Sequence, residues 1–314
     1  MRIFKTLPGP AIAAVVLLGV LLAGCEEYLE EPPFELEEAR LIITSNFAPH
    51  EKVTVSLTAS EPIAGPVRTG QIDNADVSIY RGDELIETLE YLEQERGKPG
   101  VYCSRDFHPE TGVPYTLKAS APGFTPVHAS SAIPTSTEIT RLEVSDLNVS
   151  RVHSELLVYD FNLLLDYNDP SFAENFYDIR IKQLVYPFHI VSGTGDTVLL
   201  DPVFKTVESL AEVTEENTLA GESSYLIADK PMGGIIVGLI SKFDPKTEIL
   251  GDLVVELRTV SRDYYNFQVG IQQERRIYNR YDEPAVTSLY SNVGGGYGVF
   301  AGFNRVTKTF SLVD

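Results

Sequence analysis

The sequence predicts an all-β protein, with an N-terminal immunoglobulin-like sandwich followed by a larger antiparallel β-sandwich domain that carries one or few short helices. Three observations support this fold class. Apolar and polar residues alternate in short runs. Gly and Pro turns separate the runs at intervals of about 8–12 residues, as in sandwiches. The chain also contains 16 Tyr and 15 Phe but no Trp, and Tyr and Phe are favoured in strands.

The first region of alternation begins at Leu41 and predicts the immunoglobulin-like domain at residues 39–135. Its predicted strands are centred on Val53–Leu57, Val77–Ile79, Val101–Cys103 and Tyr115–Ala119. The segment 112–123 resembles the late strands of bacterial immunoglobulin-like modules. The sequence from Ala132 to Thr137 interrupts the alternation, which indicates an interdomain linker.

The second region predicts the larger sandwich at residues 136–314. Its predicted strands are Leu157–Leu165, Phe176–Val185, Thr197–Phe204 and Leu253–Val260. A helix is expected directly after Ser261, because Ser is a favourable N-cap and Asp263 suits the positive end of a helix. Tyr264, Phe267 and Ile271 would share one face of that helix.

The N-terminus predicts a lipoprotein signal peptide at residues 1–24. Arg2 and Lys5 form a positive segment, and residues 11–23 form an apolar run too short to span a bilayer. Leu22-Ala23-Gly24-Cys25 then resembles a bacterial lipobox, in which the Cys25 thiol accepts a diacylglyceryl group. The acyl chains on Cys25 would anchor the protein in the outer-membrane lipid bilayer.

The acidic segment at residues 25–38 predicts an extended tether between the anchor and the folded body. Glu26-Glu27 resembles the surface-export signal of Bacteroidota lipoproteins, which predicts a location facing the cell surface. In other envelopes an acid at this position influences sorting between membranes, so the leaflet stays open at this point. With Cys25 lipidated, Cys103 is the remaining thiol and is interpreted as a small buried core residue.

The formal charge of −20 excludes nucleic acid as an expected partner, because such a surface repels phosphate. The five histidines are scattered, without the spacing of a zinc site. The oxygen-rich run Asp166-Tyr167-Asn168-Asp169 is interpreted as a turn in preference to a Ca²⁺ site, because it lacks the ligand spacing of an EF-hand.

No catalytic motif stands out, so the sequence predicts a non-enzymatic protein without catalytic residues, metal or cofactor. Two alternatives remain at this stage. One is a surface hydrolase that uses two carboxylates about 5–9.5 Å apart in a cleft. The other is a purely structural envelope lipoprotein with a large apolar contact face.

Four segments, taken in order, resemble the Bacteroidota lipoproteins catalogued as domain of unknown function four-two-four-nine. They are Asp169–Tyr177, Val254–Phe267, Glu283-Pro284 leading to Ser291–Val293, and the Gly-rich run that ends in Phe300-Ala301-Gly302. In the last segment, Ala301 stands where Gly is usual. The resemblance covers almost the whole chain after Cys25.

Proteins of that family are typically encoded beside TonB-dependent outer-membrane receptors. The resemblance therefore implies an accessory or ligand-binding component of a nutrient uptake system, with a TonB-dependent receptor as partner and an unknown ligand. The aromatic residues of the shared segments, Phe176, Tyr177, Tyr264 and Tyr265, have two interpretations: rings that fill the core, or rings that form a docking surface.

Overall fold

The computed structural model describes residues 39–60, 70–94, 98–152, 156–170, 174–209, 218–221, 224–228, 233–281 and 289–313. The predicted signal peptide, the lipidation site Cys25 and the acidic tether lie outside these residues. Strands dominate the described part of the chain, where a single helix is present, and the all-β fold class is confirmed.

Eight strands lie before residue 133. They are β1 (Leu41–Phe47), β2 (Thr54–Ala59), β3 (Asp76–Arg81), β4 (Glu84–Thr88), β5 (Glu90–Leu92), β6 (Val101–Cys103), β7 (Pro114–Ser120) and β8 (Val127–Ala132).

Eleven further strands and the helix α1 follow. They are β9 (Ile139–Val152), β10 (Leu156–Tyr167), β11 (Phe176–Ile190), β12 (Thr197–Leu199), β13 (Val203–Thr206), β14 (Glu208–Ser209), β15 (Thr218–Gly221), β16 (Ser224–Ala228), β17 (Gly234–Phe243), β18 (Glu248–Val260), α1 (Arg262–Tyr281) and β19 (Tyr297–Phe310).

The first sandwich packs the sheet β4–β3–β7–β8 against the strands β5–β6–β2–β1. Alternate residues of each strand point into its core, as period-two patterning requires. Leu41 and Ile43 of β1 lie in the same core as Val77 and Ile79 of β3, and all four are completely buried. Cys103 is also buried, as predicted from its apolar neighbours.

The second sandwich packs the sheet β14–β17–β10–β9 against the strands β15–β16–β11–β18. Phe161 and Leu163 of β10 face Ile179 and Ile181 of β11 in its core. All strand pairs within this sandwich are antiparallel.

Strand β19 belongs to both sandwiches. Residues 297–302 pair in parallel with β1, and residues 303–310 pair antiparallel with β18. The β1–β19 pair is a parallel exception to the expected antiparallel arrangement. Val293 and Phe300 lie in the core of the first sandwich, although the sequence assigns them to the second domain. The predicted domains 39–135 and 136–314 therefore share one continuous strand.

The predicted linker between the sandwiches is packed against both of them. Ile133 is completely buried in the first core. The backbone N–H of Thr137 donates to Oγ1 of Thr259 in β18 at 3.1 Å, and Thr137 itself is 6% exposed. These contacts fix the path of the chain where it leaves one sandwich for the other.

Helix α1 begins where the sequence predicts. Ser261 precedes it, and the N–H of Tyr264 contacts the Ser261 hydroxyl at 3.3 Å, which is N-cap geometry. Tyr264 is completely buried, and Phe267 packs beside it on β19 residues that include Phe303. No helix among the described residues combines the length and apolar character needed to cross a membrane.

Candidate functional site

The candidate site is a groove on the outer face of the sheet β4–β3–β7–β8. Because successive side chains on a strand point to opposite faces, the residues between the core positions point outward. On β3 these are Asp76, Ser78 and Tyr80, and on β7 they are Lys118 and Ser120. The register places Ser78 opposite Lys118, and Lys118 opposite His128 of β8.

The groove has a volume of about 440 Å³ and is lined by these six side chains together with Ala119, Pro126 and Val127. That volume lies within the range of small-molecule sites, about 300–1,000 Å³. Its rim is wet, because Asp76, Lys118, Ser120 and His128 are exposed. Tyr80 is half-buried and supplies an aromatic wall.

Two interactions order the polar lining. The Lys118 ammonium lies 4.1 Å from the centre of the Tyr80 ring, a cation–π contact. The Ser78 hydroxyl donates to Asp76 at 2.8 Å and also lies 3.1 Å from the Thr88 hydroxyl. Lys118 and Asp76 thus place one cation and one anion in the same groove, with hydroxyl groups between them.

The Gly-rich run supports the groove from beside β8. Gly294 and His128 exchange two backbone hydrogen bonds, of 3.1 and 2.8 Å. A Cβ atom at Gly294 would lie 2.6 Å from Cε1 of the His128 ring. At Gly298, where φ is +105°, a Cβ atom would lie 1.8 Å from the carbonyl oxygen of Ile43. The run is therefore a place of close backbone approach, where a side chain has no room.

The groove can form hydrogen bonds in both directions with a polar ligand. Lys118 donates, Asp76 accepts, and the hydroxyl and imidazole groups do either. A ligand with several hydroxyl or amide groups, such as a saccharide or a short peptide, satisfies this lining better than an apolar molecule. Sequence reasoning missed the groove, although the alternation that predicts β3 and β7 also marks their outward polar residues.

A second polar cluster lies under helix α1, on the outer face of β11 and β18. Asp178 is completely buried and accepts hydrogen bonds from Ser224 at 2.7 Å, Tyr264 at 2.7 Å and Arg180 at 2.9 Å. The Tyr264 hydroxyl accepts in turn from Arg180 at 2.8 Å and Arg258 at 3.2 Å. Arg258 also pairs with Glu256.

The pKa values in this cluster follow from burial and charge. Burial, and then the negative charge of Asp178, raise the pKa of the Tyr264 hydroxyl well above its usual range. For Arg180, burial alone would lower the pKa, but the Asp178 carboxylate reverses the effect and raises it. The cluster holds its ionised groups in fixed pairs, which is the arrangement of a structural network.

The residues singled out by the sequence are dispersed in the structure. Asp169 accepts hydrogen bonds from the Tyr177 hydroxyl at 2.5 Å and the Asn175 amide at 3.0 Å, whereas Asp166 lies 4.0 Å from Arg141. Asp169 therefore links the end of the run to Asn175 and the start of β11. No group of three or more His, Cys, Asp or Glu residues within the described ranges is arranged to hold a metal ion.

Three of the four aromatic residues named in the shared segments are buried inside the protein. Tyr177 and Tyr264 are completely buried, and Phe176 is 7% exposed. The Phe176 and Tyr265 rings lie 4.8 Å apart between centres. The interpretation as core residues is confirmed for Phe176, Tyr177 and Tyr264, whereas Tyr265 is half-buried and packs against that core.

Comparison with known proteins gives one family. A family model described as Domain of unknown function (DUF4249) matches residues 28–309, which include both sandwiches and the shared strand except its last residue. No curated protein matches the chain.

Among solved structures, one similar chain comes from work on a chaperone–tip adhesin complex in CFA/I fimbriae biogenesis. It is 8% identical, and the alignment covers 71% of this chain and 83% of that chain, with a TM-score of 0.17. At this TM-score the similarity carries no argument about fold or function.

Proposed function

Because the chain belongs to the family described as Domain of unknown function (DUF4249), we propose that it is a lipid-anchored, ligand-binding accessory protein of a TonB-dependent nutrient uptake system. The observation that carries the proposal is the polar groove of about 440 Å³ on the first sandwich. Its lining combines an ammonium group, a carboxylate, hydroxyl groups and an aromatic ring, which recognise a small polar ligand without bond-breaking chemistry.

The anchor in this proposal is Cys25. The signal-peptide pattern and the lipobox support lipidation, and several acyl chains on one residue make attachment effectively permanent. The segment 25–38 then gives the body reach, because 14 extended residues span at most about 50 Å. The acidic pair Glu26-Glu27 supports a position on the outer surface, where a nutrient and its receptor meet.

The ligand class in this proposal is a polar nutrient of saccharide or short-peptide size. Lys118 and Asp76 would bind groups of opposite polarity on the ligand, and Tyr80 would pack against its less polar side. The overall negative charge of the chain disfavours strongly anionic ligands.

The ligand arm of the test uses the Cys25→Ala protein, which stays unlipidated. Saturation-transfer NMR with a panel of neutral disaccharides and dipeptides should show binding by at least one compound. Lys118→Gln and Asp76→Asn should each weaken binding about tenfold, while Lys52→Gln, an exposed lysine of the same sandwich outside the groove, should leave it unchanged. Equal binding by all three variants would remove the groove from the proposal.

The receptor arm is an affinity pull-down from solubilised outer membrane, with Cys25→Ala as the control for membrane anchoring. Recovery of a TonB-dependent receptor with the lipidated protein supports the accessory role, and the cargo of that receptor then becomes the first ligand to test. If no receptor is recovered, the stable receptor complex is abandoned and the ligand-binding arm stands alone.

A further inference from the structure

The second sandwich carries an apolar surface at its far end, on the outer face of the eleven-stranded sheet. The residues of β11 that point outward change along the strand from Asp178 and Arg180 to Tyr186 and Ile190. The neighbouring strands place further apolar residues beside Tyr186 and Ile190. We call the exposed residues Tyr186, Ile190, Leu199, Phe204 and Ile249 the distal apolar face.

The distal apolar face is open to solvent over large side chains. Ile190 is 60% exposed, Leu199 and Phe204 are each 58% exposed, and Ile249 is 48% exposed. Two half-buried residues, Leu184 and Phe188, lie opposite Phe204 and Leu199 and make the face continuous. No described element packs over it. A contiguous exposed apolar surface of this kind marks an interaction site, whereas apolar residues exposed singly are scattered over the surface of most proteins.

The edge of the sheet beside this face is protected from strand pairing. Phe188 is in register with Leu199, and Val185 is in register with Val203. Between these two pairs, two residues of β11 therefore lie opposite three residues of the edge strand. β12 and β13 are therefore one edge strand with a bulge at residues 200–202, which includes Pro202. Bulges and Pro residues prevent a further strand from adding to an edge. A partner consequently meets side chains on the face and not the backbone of the edge.

The face lies far from the start of β1, the first strand of the described body. Ile42 of β1 is in register with Tyr297 at the start of β19. At about 3.4 Å per residue, β19 extends about 44 Å from there to Phe310, which is in register with Leu253. β18 continues about 17 Å further to Glu248, beside the face. The start of β1 and the distal apolar face are thus at opposite ends of the described body.

The charges around the face disfavour two of its conceivable occupants. Lys205 is paired with Glu248 at 2.5 Å, and Lys182 lies 5.7 Å from the centre of the Phe204 ring. Asp196 and Asp201 are exposed nearby. With a chain charge of −20, both a second copy and an anionic membrane would be repelled. A protein that offers apolar side chains inside a basic rim is complementary to this surface.

We propose that the distal apolar face docks a second protein, one that presents an apolar patch rimmed by Lys and Arg side chains. The inference rests on the proposed accessory role and gives it a docking surface separate from the ligand groove. Phe204 and Leu199 are the central contacts. The exposed acids raise the association rate and make the affinity depend on salt concentration.

The experiment places a photo-crosslinking amino acid at Leu199 in the full-length lipidated protein in cells. The matched control position is Ile236, which is 61% exposed on β17, in the opposite sheet. A discrete protein adduct is expected from position 199 and not from position 236. The identified protein is then purified and its affinity is measured with the Cys25→Ala protein and its variants.

Phe204→Asp and Ile190→Asp should each weaken that affinity at least tenfold, whereas Ile236→Asp should change it less than twofold. Affinity for the wild-type face should also fall as salt is raised from 50 to 500 mM. All three substituted residues are well exposed, so circular dichroism should show an unchanged fold. Equal affinity for Phe204→Asp and Ile236→Asp would overturn the proposal.

Two further measurements exclude the other occupants. Sedimentation of the Cys25→Ala protein should show a monomer, and flotation with vesicles of phosphatidylcholine, with and without phosphatidylglycerol, should show no binding. If the wild type formed a dimer that Phe204→Asp abolished, a second copy of this chain would be the occupant of the face. If it bound vesicles and Phe204→Asp abolished that binding, a membrane would be the occupant. Ligand titration of the groove in the same variants should be unchanged, so failure at the face is distinguishable from failure at the groove.

Discussion

The outer face of the eleven-stranded sheet has two regions that reverse the usual relation between polarity and burial. Under helix α1, the face carries Asp178, Arg180 and Arg258, and Asp178 is completely buried. Beyond the helix, the same face carries apolar residues such as Ile190 and Phe204, and they are exposed. The difference shows that the alternation of side chains along a strand determines which face of the sheet a residue lies on. The element packed above that face determines whether the residue is buried.

The largest expected effect tests the covered region. Asp178→Ala leaves Arg180, Ser224 and Tyr264 without their common acceptor in a dry layer. We expect the free energy of unfolding to fall by about 3–5 kcal/mol in urea denaturation. Asp201→Ala, at an exposed acid near the distal apolar face, should change it by less than about 0.5 kcal/mol. A similar small loss for both variants would show that the covered network does not stabilise the fold.

The next effect isolates the hydroxyl group of the same network. Tyr264→Phe keeps the ring but removes the donor to Asp178 and the acceptor for two arginines. The expected loss is about 1–3 kcal/mol, measured by urea denaturation at pH 7. Tyr186→Phe, on the uncovered region, is the control and should be close to neutral.

The same substitution should change the alkaline stability. Burial, and then the Asp178 charge, raise the pKa of Tyr264 in the folded state. A raised pKa means that its contribution is complete below the unfolded value, about 10, and is lost as pH rises above it. Stability measured from pH 8 to pH 11 should therefore decline less steeply in Tyr264→Phe than in the wild type. Parallel pH profiles would contradict this linkage.

The smallest effect belongs to the uncovered region. Phe204→Ser should change the unfolding free energy by no more than about 0.5 kcal/mol, because that ring is already in water. Phe303→Ser, at a ring 6% exposed under the helix, should cost about 3–5 kcal/mol. Thermal unfolding of the pair would measure the contrast directly. A large loss from Phe204→Ser would mean that the distal apolar face supports folding instead of binding.

The sequence predicts much of the local structure. Period-two runs identify strands such as β2, β3 and β10, and the Ser261 cap with Asp263 identifies the start of α1. These predictions succeed because the signals are local: alternation reports one buried face, and capping reports a helix end.

Long-range pairing is the part that local signals do not predict. β19 begins in a Gly-rich run, where Gly298 makes the close backbone contact that pairing with β1 requires. No periodicity in the sequence predicts that its parallel partner lies about 250 residues away. The groove is missed for a related reason. Its residues come from three strands, and only the register brings Ser78, Lys118 and His128 together.

The shared strand also determines how the protein carries a mechanical load. Consider a force applied between the N-terminal end of β1 and the far end of the second sandwich. β19 runs between these two points, and its ladder with β1 covers six register positions, from Ile42 to Phe47. Because the pull is along the strands, the hydrogen bonds of that ladder are loaded together in shear and do not open one after another. The described body can therefore act as a stiff tension-bearing arm between its two ends.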